Sequence, residues 1–251
     1  MSVYLVTGAS RGIGLELTRQ LAAKSDNDVK TVFAAARGSS DPLFQTLLTQ
    51  HPGRVIFIPL DVTKEESVKN AVKHVTSVLQ GGGLDVLINN AGVMTPGSVE
   101  EMNDLEETFL VNVKGVHIVT KGFLPLLRKG DKKRIINIST SAGSIQLQPR
   151  YTAMPAPSYK ITKAALNMLT VLYSQELAQE GFTVFCVSPG WLKTDLGSED
   201  ADLPVETGVA AVLDLVLNTG NAVNGRFLNI RVPGWETNPG MNQYDGKELP
   251  W

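Results

Sequence analysis

Short apolar runs alternate along the chain with longer stretches in which apolar residues recur every three to four positions. Residues 3–7, 31–36, 55–60, 84–89, 134–139, 183–188 and 227–230 read as strands. They are rich in Val, Ile and Leu and do not alternate with polar residues, the mark of strands covered on both faces. The intervening stretches 14–23, 42–50, 63–79, 106–129, 158–180 and 204–218 carry the helical period. In the first, Ile13, Leu17 and Leu21 share a face. In the third, Thr63 and Glu66 have the spacing of a capping box, which predicts a helix starting at Thr63. Repeated strand–helix–strand order predicts one α/β domain, a Rossmann-type doubly wound parallel sheet of about seven strands with helices on both faces. Its expected extent is residues 1–231, with an irregular tail, 232–251, rich in Pro, Gly and Asn and packed on the same domain.

Composition narrows the function classes. At 251 residues, 43% hydrophobic and 19% charged, the chain has the make-up of an ordinary globular protein. A net charge of −2 with no long charge run argues against nucleic acid or an anionic membrane surface as partner. No uninterrupted apolar stretch reads as bilayer-spanning, and the N-terminus runs straight into a strand, so a cytoplasmic location is expected. The one cysteine, Cys186, sits in an apolar run and reads as a buried structural thiol. His51, His74 and His117 show no metal-ligand spacing, so no metal site is expected.

Chemistry enters at two places. After the first strand come Gly8, Gly12 and Gly14, then a helix. Glycines there let the backbone approach a pyrophosphate, and the helix N-terminus offers N–H donors. Far along the chain, Tyr159 and Lys163 stand four residues apart within a helical stretch, which places a phenol and an ammonium on one face.

From Val3 to about Ile230 the chain resembles the short-chain dehydrogenase/reductase family. The carrying residues are Thr7-Gly8-Ala9-Ser10-Arg11-Gly12-Ile13-Gly14, Asp61-Val62, Asn89-Asn90-Ala91-Gly92, Asn112, the Tyr159/Lys163 pair, and Pro189-Gly190 with Leu192 and Thr194. The resemblance implies that Gly8, Ser10, Arg11, Gly12, Ile13 and Gly14 cradle a dinucleotide. It also implies that Asp61 and Val62 meet the adenine, that Asn90, Ala91 and Gly92 line the cleft, and that Pro189, Gly190, Leu192 and Thr194 hold the nicotinamide. Relatives selective for NAD end the second strand in an acidic residue that bonds the ribose 2′-hydroxyl. Here that strand ends Ala34-Ala35-Ala36-Arg37, and Arg11 reaches toward the same place. Two guanidiniums suit a 2′-phosphate, so NADP(H) is the expected cofactor.

The implied catalytic group is Asn112, Thr140, Tyr159 and Lys163. A ketone that accepts hydride develops alkoxide charge and needs a proton. An unperturbed tyrosine, with pKa near ~10, exchanges poorly at neutrality, so Lys163 is expected to lower it. The resemblance adds that Lys163 binds the nicotinamide ribose beside Tyr159, and that Asn112 anchors a water leading from Lys163 to solvent. The family's Ser-Ser-x-x-Gly pattern is here Ser139-Thr140-Ser141-Ala142-Gly143. Counting back from Gly143 puts Thr140 in the catalytic slot, with Ser139 and Ser141 as alternatives.

Residues 144–157, holding Gln146, Gln148, Arg150, Tyr151 and Met154, read as a pocket wall. Trp191 is either a floor to the nicotinamide pocket or a core indole. Residues 195–203 are too few for a deep lid. The ending Tyr244-Asp245-Gly246-Lys247-Glu248-Leu249-Pro250-Trp251, with Gly143-Ser144-Ile145-Gln146, resembles sniffer-type carbonyl reductases and fungal norsolorinic acid ketoreductase-like enzymes. The leading expectation is an NADPH-dependent carbonyl reductase acting on a ketone, aldehyde or quinone. A non-redox or auxiliary biosynthetic enzyme, or an NADP-sensing protein, would share the fold. A homodimer or homotetramer is implied by the resemblance, with Leu166, Leu169 and Leu172 facing either a partner or the sheet.

Overall fold

The computed structural model describes all 251 residues. Seven parallel strands form one sheet in the order β3-β2-β1-β4-β5-β6-β7. They are β1 (Ser2–Thr7), β2 (Val29–Ala36), β3 (Val55–Pro59), β4 (Val86–Asn89), β5 (Arg134–Ile138), β6 (Thr183–Ser188) and β7 (Phe227–Asn229). The helices are α1 (Gly12–Ala22), α2 (Pro42–Gln50), α3 (Glu65–Leu79), α4 (Leu105–Phe109), α5 (Val116–Leu127), α6 (Pro157–Glu176) and α7 (Val205–Asn218).

Successive strand residues point to opposite faces and fill two separate cores. Tyr4 and Val6 pack on one side with Leu17 and Leu21 of α1, Phe44 of α2 and Val209 and Val212 of α7. Val3 and Leu5 pack on the other with Val68 and Val75 of α3, Val119 and Phe123 of α5 and Tyr173 of α6. Leu17 and Leu21 are fully buried, each contributing roughly 2 kcal/mol of transfer free energy. The chain crosses from one half of the sheet to the other beside β1, whose neighbours are β2 and β4. The carboxyl ends of β1 and β4 lie side by side at this switch point, the place where open α/β sheets form a ligand crevice.

Two local expectations fail for identifiable reasons. Thr63 does not cap α3: its hydroxyl and N–H both turn to Asp61 Oδ1, at 2.7 and 3.0 Å. The helix starts after Lys64 with no side-chain cap. The long helix expected within 106–129 is present as one run, Leu105–Leu127, with a π turn at Leu110–Gly115 joining α4 to α5. From α4 to α5, Leu105–Leu127, the run is long and apolar enough to cross a membrane, contrary to expectation. Much of it is buried, because this run supplies core rather than lipid-facing surface. Beyond β7 the chain folds back through isolated antiparallel bridges, Leu228 with Glu248 and Arg231 with Asp245. The Trp251 ring stacks on Phe227, centroids 5.5 Å apart.

Candidate active site

The crevice is built from strand ends. Thr7 closes β1, and its Oγ1 accepts the backbone N–H groups of Asn90 and Ala91 at 3.0 and 3.1 Å. Asn90 Nδ2 donates back to Thr7 O at 2.9 Å. The tip of β4 is thereby stitched to the start of the glycine turn. Gly8 and Gly12 adopt φ of +67° and +53°, left-handed values that other residues reach at a cost. A Cβ at Gly14 would run into Gly8 O and lie 2.5 Å from Asn90 Nδ2. Arg11, the residue before α1, provides no side-chain cap, and the first turn holds no acid. The N-terminal donors of α1 are thus left for an anion, and the turn fits a pyrophosphate.

Other expected cofactor residues surround this turn. A Cβ on Gly12 would sit 3.6 Å from Thr194, so the glycine turn and the segment after β6 meet. Gly190 has φ +88°, and a Cβ there would lie 3.1–3.3 Å from Ile230, Tyr244 and Leu203. Leu192 is buried, which leaves its backbone as the part able to face a ligand. Thr194 Oγ1 accepts from Gly197 N–H at 3.1 Å. Asp61 lies at the end of β3, and the bond from the Thr63 hydroxyl holds its carboxyl below the usual range. Val62 packs so closely that a Cβ on Gly115 would come within 3.0 Å of it. Arg37 is exposed at the end of β2, beside β1. Arg11 is exposed too and pairs with Asp195 at 3.3 Å. The free side chain of Ser10 and the partly buried Ile13 lie along the same turn.

The catalytic candidates converge on the far wall. Tyr159 and Lys163 lie one turn apart in α6 and both are buried. Lys163 Nζ stands 5.5 Å from the Tyr159 ring centroid and donates to Ile138 O at 2.7 Å. A Cβ on Gly92 would be 3.6 Å from that ammonium and 3.3 Å from Asn112 Oδ1. Asn112 occupies the π turn, a distortion frequent at functional sites. Its Nδ2 donates to Val93 O at 2.9 Å and Thr162 Oγ1 at 3.1 Å, and its Oδ1 accepts from Val93 N–H at 2.9 Å.

Electrostatics differ from expectation in one respect. Burial pushes the Tyr159 phenol up, not down. Burial also pulls Lys163 down to about 8. A low-dielectric pocket disfavours both tyrosinate and ammonium, and the ammonium spends a proton on Ile138 O rather than on the phenol.

Three hydroxyls compete for the slot after β5. Ser139 Oγ is buried and donates to Asn167 Oδ1 at 2.6 Å. Ser141 Oγ is engaged with the Tyr151 phenol at 2.6 Å. Thr140 Oγ1 accepts a long bond from Ala142 N–H at 3.3 Å and gives its own proton to no protein group. Geometry leaves Thr140 as the free donor.

The wall segment is anchored rather than loose. Gln148 Nε2 donates to Ala142 O and Ser144 O at 2.6 and 3.0 Å. Gln146 N–H donates to Trp251 O at 3.2 Å. Trp191 is not a core indole: it is 37% exposed, with Nε1 donating to Gly197 O at 2.5 Å. Leu166 and Leu169 face the core, whereas Leu172 points outward with Ile161 and Met168. Thr7 and Thr162 went unnoticed in the sequence as supports, because a threonine inside an apolar run carries no signal of the bond it will make. No group of three or more His, Cys, Asp or Glu is placed to hold a metal.

With this geometry in view, comparison defines the class. The sequence matches the family model for short chain dehydrogenase over residues 2–203. The chain belongs to that family. It is 38% identical over 200 residues to mouse estradiol 17-beta-dehydrogenase 2, covering 78% of this chain and 50% of the mouse protein. It thus spans about half that relative's length. It is 33% identical over 225 residues to the short-chain dehydrogenase/reductase AacuF of Aspergillus aculeatus, covering 85% of this chain and 83% of that one. Among solved structures, the NADPH-bound carbonyl reductase from chicken fatty liver superposes with TM-score 0.88 at 33% identity, covering 100% of this chain and 94% of that one. Carbonyl reductase Sniffer of D. melanogaster gives 0.84 at 25% identity, with 100% and 99% covered.

Proposed function

We propose that the protein is an NADPH-dependent carbonyl reductase that converts a ketone, aldehyde or quinone to the alcohol. The observation that carries this reading is the buried Tyr159–Lys163 pair, 5.5 Å from ammonium to ring centroid, on the wall of a crevice floored by a glycine turn. When bound, the reduced nicotinamide supplies the hydride. Gly8 to Gly14 would hold the pyrophosphate, and Asp61 and Val62 the adenine. Asn90, Ala91, Gly92, Pro189, Gly190, Leu192 and Thr194 would surround the rest. Arg11 and Arg37 would take a 2′-phosphate, for which no acid at the end of β2 offers competition.

Tyr159 acts as general acid. Burial raises its pKa, so at neutral pH it stays protonated and has a proton to give, as reduction requires. Thr140 donates its free hydroxyl proton to the same carbonyl oxygen and orients it. Lys163, held near 8, gains or loses its charge close to working pH and relays the replacement proton. Asn112 fixes the Val93 backbone and, through Thr162, the helix that carries the pair.

Support for NADPH also comes from the NADPH-bound chicken reductase at 33% identity. The exposed stripe Ile161, Met168 and Leu172 on α6 suits a homodimer. The test is a panel of ketones, quinones and polycyclic aromatics followed by loss of NADPH absorbance, with NADH as control. Tyr159→Phe is expected to lower kcat at least ~100-fold while the variant still binds NADPH. Full turnover by that variant would overturn the assignment.

A further inference from the structure

A branched chain of hydrogen bonds, unused in the reaction above, runs beside the pocket and ends on Asp202. Ser141 Oγ lies 2.6 Å from the Tyr151 phenol oxygen, which lies 3.0 Å from Asn242 Oδ1. Asn242 Nδ2 donates to Asp202 Oδ2 at 2.7 Å, and the Tyr244 hydroxyl donates to the same oxygen at 2.5 Å. Tyr244 in turn accepts the backbone N–H of Trp191 at 3.1 Å.

Chemistry sets the direction of every link. A carboxylate only accepts, so Asn242 presents its NH2 to Asp202 and its carbonyl oxygen to Tyr151. Tyr151 has one proton and gives it to that oxygen, so Ser141 donates to Tyr151. Both branches therefore run downhill to one carboxylate oxygen. Their members come from three distant stretches: Ser141 and Tyr151 from 141–151, Trp191 and Asp202 from the segment after Gly190, Asn242 and Tyr244 from the tail. Tyr151, Asn242 and Tyr244 are buried, so water cannot replace a lost partner. Burial first, then the bond to Asp202, pushes the Tyr244 phenol up. The Tyr244 ring also supports Gly190, where a Cβ would come within 3.2 Å of it. The segments tied together carry exposed apolar side chains, Trp191, Leu196 and Met241.

We infer that Asp202 is a positioning residue for the substrate pocket. It fastens residues 191–203 to the tail and to the 144–157 wall, and so holds the apolar rim of Trp191, Leu196 and Met241 against a flat, apolar carbonyl substrate. This rests on the reading of Tyr159 as the reacting centre.

Asp202→Ala and Asp202→Asn test it, with 9,10-phenanthrenequinone as the flat probe, 2,3-butanedione as the small one, and tryptic cleavage after the exposed Lys193 as a measure of segment mobility. Asp202→Ala is expected to raise KM for the quinone and the cleavage rate after Lys193 by about five-fold or more, since five-fold is roughly one buried bond and Asp202 accepts two. Its KM for NADPH and its kcat on butanedione stay within about two-fold. Asp202→Asn keeps an acceptor oxygen for both donors and is expected to restore wild-type behaviour. Unchanged quinone KM and unchanged cleavage in Asp202→Ala would overturn the inference. So would a parallel fall in kcat on both probes, or an Asp202→Asn protein no better than Asp202→Ala. Should the wild type reduce neither probe, the carbonyl reductase reading fails, while the cleavage rates still decide the role of Asp202.

Discussion

Lys163 offers a prediction that opposes the usual expectation for a buried site residue: its removal stabilises the protein. The ammonium is buried, and burial lowers its pKa from 10.5 to about 8. Below pH 8 it is charged in both folded and unfolded chains, and folding carries the full desolvation penalty. A shift of this size is about 3 kcal/mol of differential free energy. Between pH 8 and 10.5 the unfolded chain holds the proton and the folded chain has lost it, so stability rises with pH and the penalty fades. Lys163→Met removes the charge but keeps an unbranched side chain of similar reach. It also strips Ile138 O of its 2.7 Å donor, which costs about 1 kcal/mol. At pH 7, without added dinucleotide, the net gain is then about 2 kcal/mol, or about 5 °C in midpoint for a chain of this size. At pH 9.5 the same comparison shrinks to near zero. Urea unfolding of both proteins at the two pH values measures it, with activity lost throughout in the variant. A Lys163→Met protein less stable than wild type at pH 7, or a gain that does not shrink with pH, would refute the burial argument.

Other outcomes follow from the geometry. Thr140→Val should lower kcat by ~100-fold or more with Thr140→Ser largely active, whereas Ser141→Ala should retain most activity, because only Thr140 has a free hydroxyl proton. Steady-state kinetics on any accepted carbonyl separates them. Gly14→Ala forces a methyl into Gly8 O and Asn90 Nδ2. It should cost about 2–4 kcal/mol by urea unfolding and weaken dinucleotide binding measured by calorimetry. Arg37→Ala should raise KM for NADPH by ~10-fold or more and leave KM for NADH nearly unchanged, since the lost partner is the 2′-phosphate.

Fold was the most legible level, because seven apolar runs separated by helical periods admit few arrangements, and the sheet order follows from short right-handed crossovers. Finer features were hidden where several local solutions share one pattern. Thr63 and Glu66 have capping-box spacing, yet Asp61 lies two residues earlier and takes the threonine's proton. The run from 105 to 127 reads as one long helix, and nothing in it reveals that Leu110–Gly115 winds one residue wider. The choice among Ser139, Thr140 and Ser141 depended on Asn167 and Tyr151, which are brought up by α6 and the wall segment. The direction of the Tyr159 shift was invisible for a related reason: spacing reveals a lysine nearby but not how much water the fold excludes.

The wide turn around Asn112 sets a boundary on how this protein can be hardened. Deleting one residue from 110–115 would let an ordinary coil run through with the downstream faces nearly in place, because the wide turn takes up one extra residue in about the same rotation. Val119 and Phe123 would keep their places in the core, but the local backbone that aims Asn112 would be redrawn, and its amide could no longer clasp both edges of Val93. Engineering for heat resistance must leave this irregularity alone and look to the surface for its gains.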